Sequence, residues 1–99
     1  MTESDARVLQ REMGCTREEF LAWLPGATRG AAIRMHGDTA TVKVGRGVVE
    51  IGFREQPART IGSVAIPVLQ VSFRFVGAEH ASRDAFLNYF DLHTRRGGG

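Results

Sequence analysis

The chain has 99 residues, 13 of them basic and 11 acidic, for a formal net charge of +2. That length supports one hydrophobic core and not two. An apolar content of 42% and a charged content of 24% exclude a disordered chain, and the near balance of charge lacks the dense basic excess of a dedicated nucleic-acid binder.

The single cysteine, Cys15, excludes an internal disulfide and fits a reducing compartment. No run approaches the about 18–20 apolar residues of a membrane span. The opening residues are polar and mixed in charge, and match neither a secretory signal nor a transit peptide. The expected location is the cytoplasm.

Ser4 to Met13 predicts a short helix, capped by Ser4 or Asp5 and striped by Val8, Leu9 and Met13. Gly14 stops it. Thr16 to Glu19 is a capping box, in which a threonine oxygen and a glutamate carboxylate satisfy orphan amides reciprocally. It opens a second helix, whose buried face is Phe20, Leu21, Trp23 and Leu24 and which Pro25-Gly26 ends.

Four strands are expected next. Residues 31–36 alternate, with Ile33 and Met35 on one side and Arg34 and His36 on the other. Gly37-Asp38 is a hairpin turn, because glycine accepts positive φ. Residues 39–44 place Val42 and Val44 inward, and Gly45 to Gly47 turn the chain again. Residues 48–55 place Val49, Ile51 and Phe53 inward and Glu50, Gly52 and Arg54 outward. Gln56-Pro57-Ala58 should break the run, since proline cannot donate to a ladder. The fourth strand then starts near Arg59 and peaks in residues 64–76, where Leu69, Val71, Phe73 and Phe75 share one side of the pleat. Pro67 calls for an edge position or a bulge. Ser82 should cap a last helix with Phe86, Leu87 and Phe90 along one stripe, and Gly97 to Gly99 form a flexible tail.

The predicted fold is an α+β domain over residues 1–96. It is a four-stranded antiparallel meander, with an N-terminal pair of short helices and a C-terminal helix packed on one face and the other face open.

Two stretches resemble known families. Leu9 to Trp23, with Gly14, Thr16, Phe20 and Trp23 at their spacing, resembles the DNA-binding helix-turn-helix pattern. Gln10 stands where that pattern has a small residue, and Glu18 and Glu19 open the would-be recognition helix, where they repel phosphates. A capped two-helix layer is the plainer reading. The terminal Arg96 to Gly99 resembles the tails of ubiquitin-like proteins and sulfur carriers, which implies activation at the last glycine. In that family the tail leaves a strand, whereas here it leaves a helix.

Other chemistry has little support. Sheet-based RNA binders expose aromatics for stacking, and Phe53, Phe73 and Phe75 all fall on the inward face. His36, His80 and His93 have no metal-ligand spacing, and no nucleophile motif occurs. Cys15 near the amides opening a helix would favour a thiolate, whereas an isolated cysteine without a basic partner is a small buried hydrophobe.

The residues are read as a cytoplasmic, non-enzymatic binding protein. Its expected partner is itself or another protein, engaged through the fourth strand at residues 68–76 or the adjoining open face. Candidate binding residues are Arg34, His36, Lys43, Glu50, Arg54 and Arg74. The alternative is a small enzyme working on the polar sheet face with Arg34, Glu50, Arg54 and Arg74. Nucleic-acid binding and a carrier role rank below these. The sequence implies no cofactor, no metal and no membrane partner, and it specifies no small-molecule ligand.

Overall fold

The computed structural model describes residues 8–98. In chain order the elements are β1 (Val8–Met13), α1 (Arg17–Ala27), β2 (Ile33–His36), β3 (Thr39–Val44), β4 (Gly47–Ile61), β5 (Val64–Val76) and α2 (His80–Gly98). The strands form one antiparallel sheet in the order β1-β5-β4-β3-β2. Both helices cover the same face. The fold is α+β with an open outer face, as the alternation implies, but among the described residues the sheet has five strands and the helices number two.

The difference lies at the N-terminus. Val8 to Met13 form a strand against β5, pairing Val8 with Arg74 and Met13 with Leu69. No helix forms over residues 8–13, and the proposed caps Ser4 and Asp5 lie outside the described residues. The apparent helical stripe hides an alternation. Leu9, Arg11 and Met13 point to the helix side, and the middle position is an arginine. Arg11 is tolerated there because its guanidinium meets Asp91 of α2 at 3.0 Å and lies 6.0 Å from the centre of the Phe73 ring. With no first helix, the helix-turn-helix reading falls, and so does the two-helix layer. β5 also loses its edge. It lies between β1 and β4, so residues 69–74 are not the free edge expected for self-association.

The capping box forms as expected. Thr16 N–H donates to Glu19 Oε1 at 2.9 Å, and Glu19 N–H donates to Thr16 Oγ1 at 3.1 Å. α1 runs through Pro25 to Ala27 instead of ending at Pro25-Gly26. Proline costs the helix one N–H bond. Thr28 N–H still reaches Leu24 O at 3.0 Å, and the chain turns out when Gly30 N–H bonds Pro25 O at 2.8 Å.

The β2–β3 and β3–β4 turns fall at Gly37-Asp38 and Gly45-Arg46, each with its glycine at positive φ. The hairpin after them is longer than the proline signals suggest. β4 continues past Pro57, and the turn comes at Gly62-Ser63. The ladder absorbs Pro57 in a register shift between Gln56 and Arg59, opposite Pro67. That shift is the bulge Pro67 calls for, and each proline is spared a ladder bond by the other.

The core holds Phe20 and Leu24 of α1, Val42, Val49, Ile51 and Phe53, Leu69, Val71, Phe73 and Phe75, and Phe90 of α2. Phe73 and Phe90 meet edge-on with centroids 5.0 Å apart, and Phe20 and Phe53 lie 5.3 Å apart. Edge-on and tilted pairs suit the ring quadrupoles and add to the area term. Ser82 does not cap α2; the helix starts at His80, and Ser82 Oγ donates to Glu79 Oε1.

Candidate functional site

The outer face is organised by ladder partners, since residues paired across an antiparallel sheet share a face. One transverse row runs Arg34, Thr41, Glu50, Arg74, Val8. The next runs His36, Thr39, Gly52, Ser72, Gln10, and a third runs Arg54, Gln70, Glu12. The middle row is short at its centre, where Thr39, Gly52 and Ser72 stand. At Gly52 there is no side chain, and a Cβ there would stand 2.8 Å from Ser72 Oγ. The result is a trough of about 360 Å³ across the sheet, lined by Gln10, Thr39, Gly52, Arg54, Gln70 and Ser72 among others.

Charge is arranged on the banks of this trough. Arg74 and Glu50 form an ion pair at 3.0 Å on one side. On the other, Gln70 donates its amide to Gln10. At one end Arg17 of α1 holds Asp38 at 3.1 Å, tying the β2–β3 turn to the helix. Of the six residues singled out from the sequence, Glu50 and Arg74 meet each other and Arg54 lines the trough. Arg34 and His36 stand exposed on β2, toward the sheet's edge. Lys43 does not join them. It lies beyond the last β2 pair and reaches a second pocket beside α2. Gly52 is the one advance sign of the trough, because a glycine inside a strand marks a bulge or a close approach.

The second feature of this face is an arm. β3 flanks β4 only as far as Gly52, apart from one bond from Phe53 N–H to Asp38 O, and β1 flanks β5 only from Leu69 on. Residues 56–68 therefore leave the sheet as a two-stranded ribbon, which contributes to the elongated outline of 48 × 28 × 23 Å. Its base is tied down by Arg59 to Glu12 of β1 at 2.8 Å. Next to the base, Arg17 N–H donates to Glu55 Oε2 at 3.1 Å. Val68, expected to offer apolar surface, is buried, and the passage at Gly14 runs beside Ile66 and Pro67. At the tip, Ile61 and Val64 face each other in the ladder and are 59% and 57% exposed. Arg59 is the arm's one charged residue.

Cys15 is buried, and desolvation followed by the Glu19 carboxylate raises its thiol from about 9.0 to about 11. It is held as a thiol, not a thiolate. Among the described residues no group of three or more His, Cys, Asp or Glu side chains is placed to hold a metal ion, and no helix is long and apolar enough to cross a membrane.

No family model, curated protein or solved structure matches this chain.

Proposed function

We propose that the protein is a non-enzymatic interaction module that associates with a second copy of itself through the β4–β5 arm. The observation that carries this reading is the exposed Ile61–Val64 pair at the tip of a ribbon that, among the described residues, no third strand or helix flanks. A two-stranded ribbon is marginal in water by itself and gains from a further strand. Edges are usually protected by charge or proline. The prolines here lie at residues 57 and 67, and Arg59 is the sole charge, so the tip has neither device. A second arm supplies what is missing, because antiparallel strands related by a two-fold axis are self-complementary in both hydrogen bonds and side chains. A stable interface buries about 1,200–2,000 Å² in total, so the contact extends along the arm and not over its tip alone.

The test is mass against concentration by sedimentation, for the protein and for the double variant Ile61→Lys/Val64→Lys. The reading expects a dimer that the variant dissolves. The enzyme alternative is favoured by the trough alone. The carboxylates nearest it, Asp38 in its lining and Glu50 on its bank, are both held in ion pairs, by Arg17 and Arg74, which weakens that alternative.

A further inference from the structure

We infer that the pocket between the end of α1 and the first half of α2 is a binding site for a small carboxylate with a flat apolar body. The inference is independent of the self-association reading. The pocket is an open recess of about 250 Å³, and its lining includes Ala27, Arg29, Lys43, Ser82, Phe86 and Tyr89. Its chemistry is divided. Ala27, Phe86 and Tyr89 give the pocket apolar surface, and Arg29 and Lys43 add two cations to its lining. Most other described arginines have a carboxylate: Arg11 has Asp91, Arg17 has Asp38, Arg46 has Glu79, Arg59 has Glu12 and Arg74 has Glu50. Among the described residues Arg29 and Lys43 have no such partner, and two uncompensated cations around an apolar recess favour an anion.

Two further observations concern Arg29. Its guanidinium lies 4.2 Å from the centre of the Tyr89 ring, and Tyr89 in turn stacks on His93. A guanidinium stacked through its face keeps its in-plane N–H fork available, and that fork matches a carboxylate in bidentate geometry. Arg29 is also the one described non-glycine residue at positive φ, at 59°. A helix exit in the left-handed conformation is ordinarily glycine. An arginine there carries backbone strain that a glycine would not, and such strain concentrates at binding sites. Lys43 comes from a different element, β3, so two separate parts of the chain bring a cation to the pocket.

The experiment is a titration with benzoate followed by backbone amide shifts, with benzamide and inorganic phosphate as comparisons. Benzoate should saturate with a dissociation constant of order 0.1–1 mM, shifting Arg29, Lys43, Ser82 and Tyr89 together. Benzamide, which lacks the charge, and phosphate, which lacks the apolar body, should each bind at least ten-fold more weakly. Arg29→Gly removes the cation and relieves the strain. It should abolish benzoate binding while leaving the melting temperature unchanged or higher, and Lys43→Met should weaken binding without unfolding. Unsaturated shifts throughout, equal binding of benzamide, tighter binding of phosphate, or full binding by Arg29→Gly would each overturn the assignment.

Discussion

The hairpin of β4 and β5 is one continuous ribbon with two unlike halves. From Gly47 to Phe53 and from Leu69 to Val76 it is the centre of the sheet, flanked by β3 and β1 and roofed by both helices. From Gln56 to Val68 no strand among the described residues flanks it, and residues 57–65 are all exposed. Both halves are antiparallel ladder, interrupted by the shift between Gln56 and Arg59, so the difference teaches that a strand's role is set by what covers it. The inner half turns Val49, Ile51, Phe53, Val71, Phe73 and Phe75 into a core. The outer half leaves Ile61 and Val64 as surface, and apolar surface on an unprotected edge is a contact in waiting.

The comparison can be broken by mutation. The largest expected effect is in the inner half. Phe73→Ala removes a fully buried ring that meets Phe86 and Phe90 and should cost about 3–5 kcal/mol by chemical denaturation. A loss below about 1 kcal/mol would mean that the roof is not packed as described. Thr16→Ala breaks the reciprocal cap of α1 and should cost about 1 kcal/mol. In the outer half, Ile61→Lys/Val64→Lys should change monomer stability by no more than about 0.5 kcal/mol per site, since exposed residues contribute little to the folded chain. A large loss there would show the arm to be part of the fold and would erase the contrast.

A smaller effect sharpens the roofed side. Cys15 keeps its proton to about pH 11 when folded, against about 9.0 for an ordinary thiol. The unfolded chain therefore releases its proton first. Stability from this group is whole below pH 9 and falls as pH rises from 9 toward 11. Denaturation curves across that window should slope downward less for Cys15→Ala than for the parent protein. Identical slopes would show that the thiol is not desolvated.

Much of the roofed half was legible in the residues. The alternation through residues 39–53 and 69–76 places every inward side chain correctly, and the capping box at Thr16 marks the start of α1. β1 was hidden by Arg11, a charged side chain at an inward position that only a distant carboxylate, Asp91, makes acceptable. The arm was hidden because Pro57 and Pro67 each read as a break, and only their opposition in the ladder turns two breaks into one bulge. The turn at Gly62-Ser63 carried its own sign, a glycine between Ile61 and Val64. The open face was expected, yet its trough depends on which rows align, and register is fixed by pairing and not by any one strand. The pocket at Arg29 left no sequence sign, because positive φ at an arginine and its stacking on Tyr89 are tertiary facts.

The central claim is that the uncovered half of the hairpin is the protein's contact surface. Sedimentation of the parent protein, of Ile61→Lys/Val64→Lys and of Arg74→Glu across a concentration series tests it most directly. The account predicts a concentration-dependent dimer for the parent, one chain for the arm variant, and little change for Arg74→Glu, whose side chain pairs with Glu50 on the sheet's body. A parent mass of one chain at several hundred micromolar would contradict it, and a dimer lost with Arg74→Glu but kept by the arm variant would move the contact to the open face.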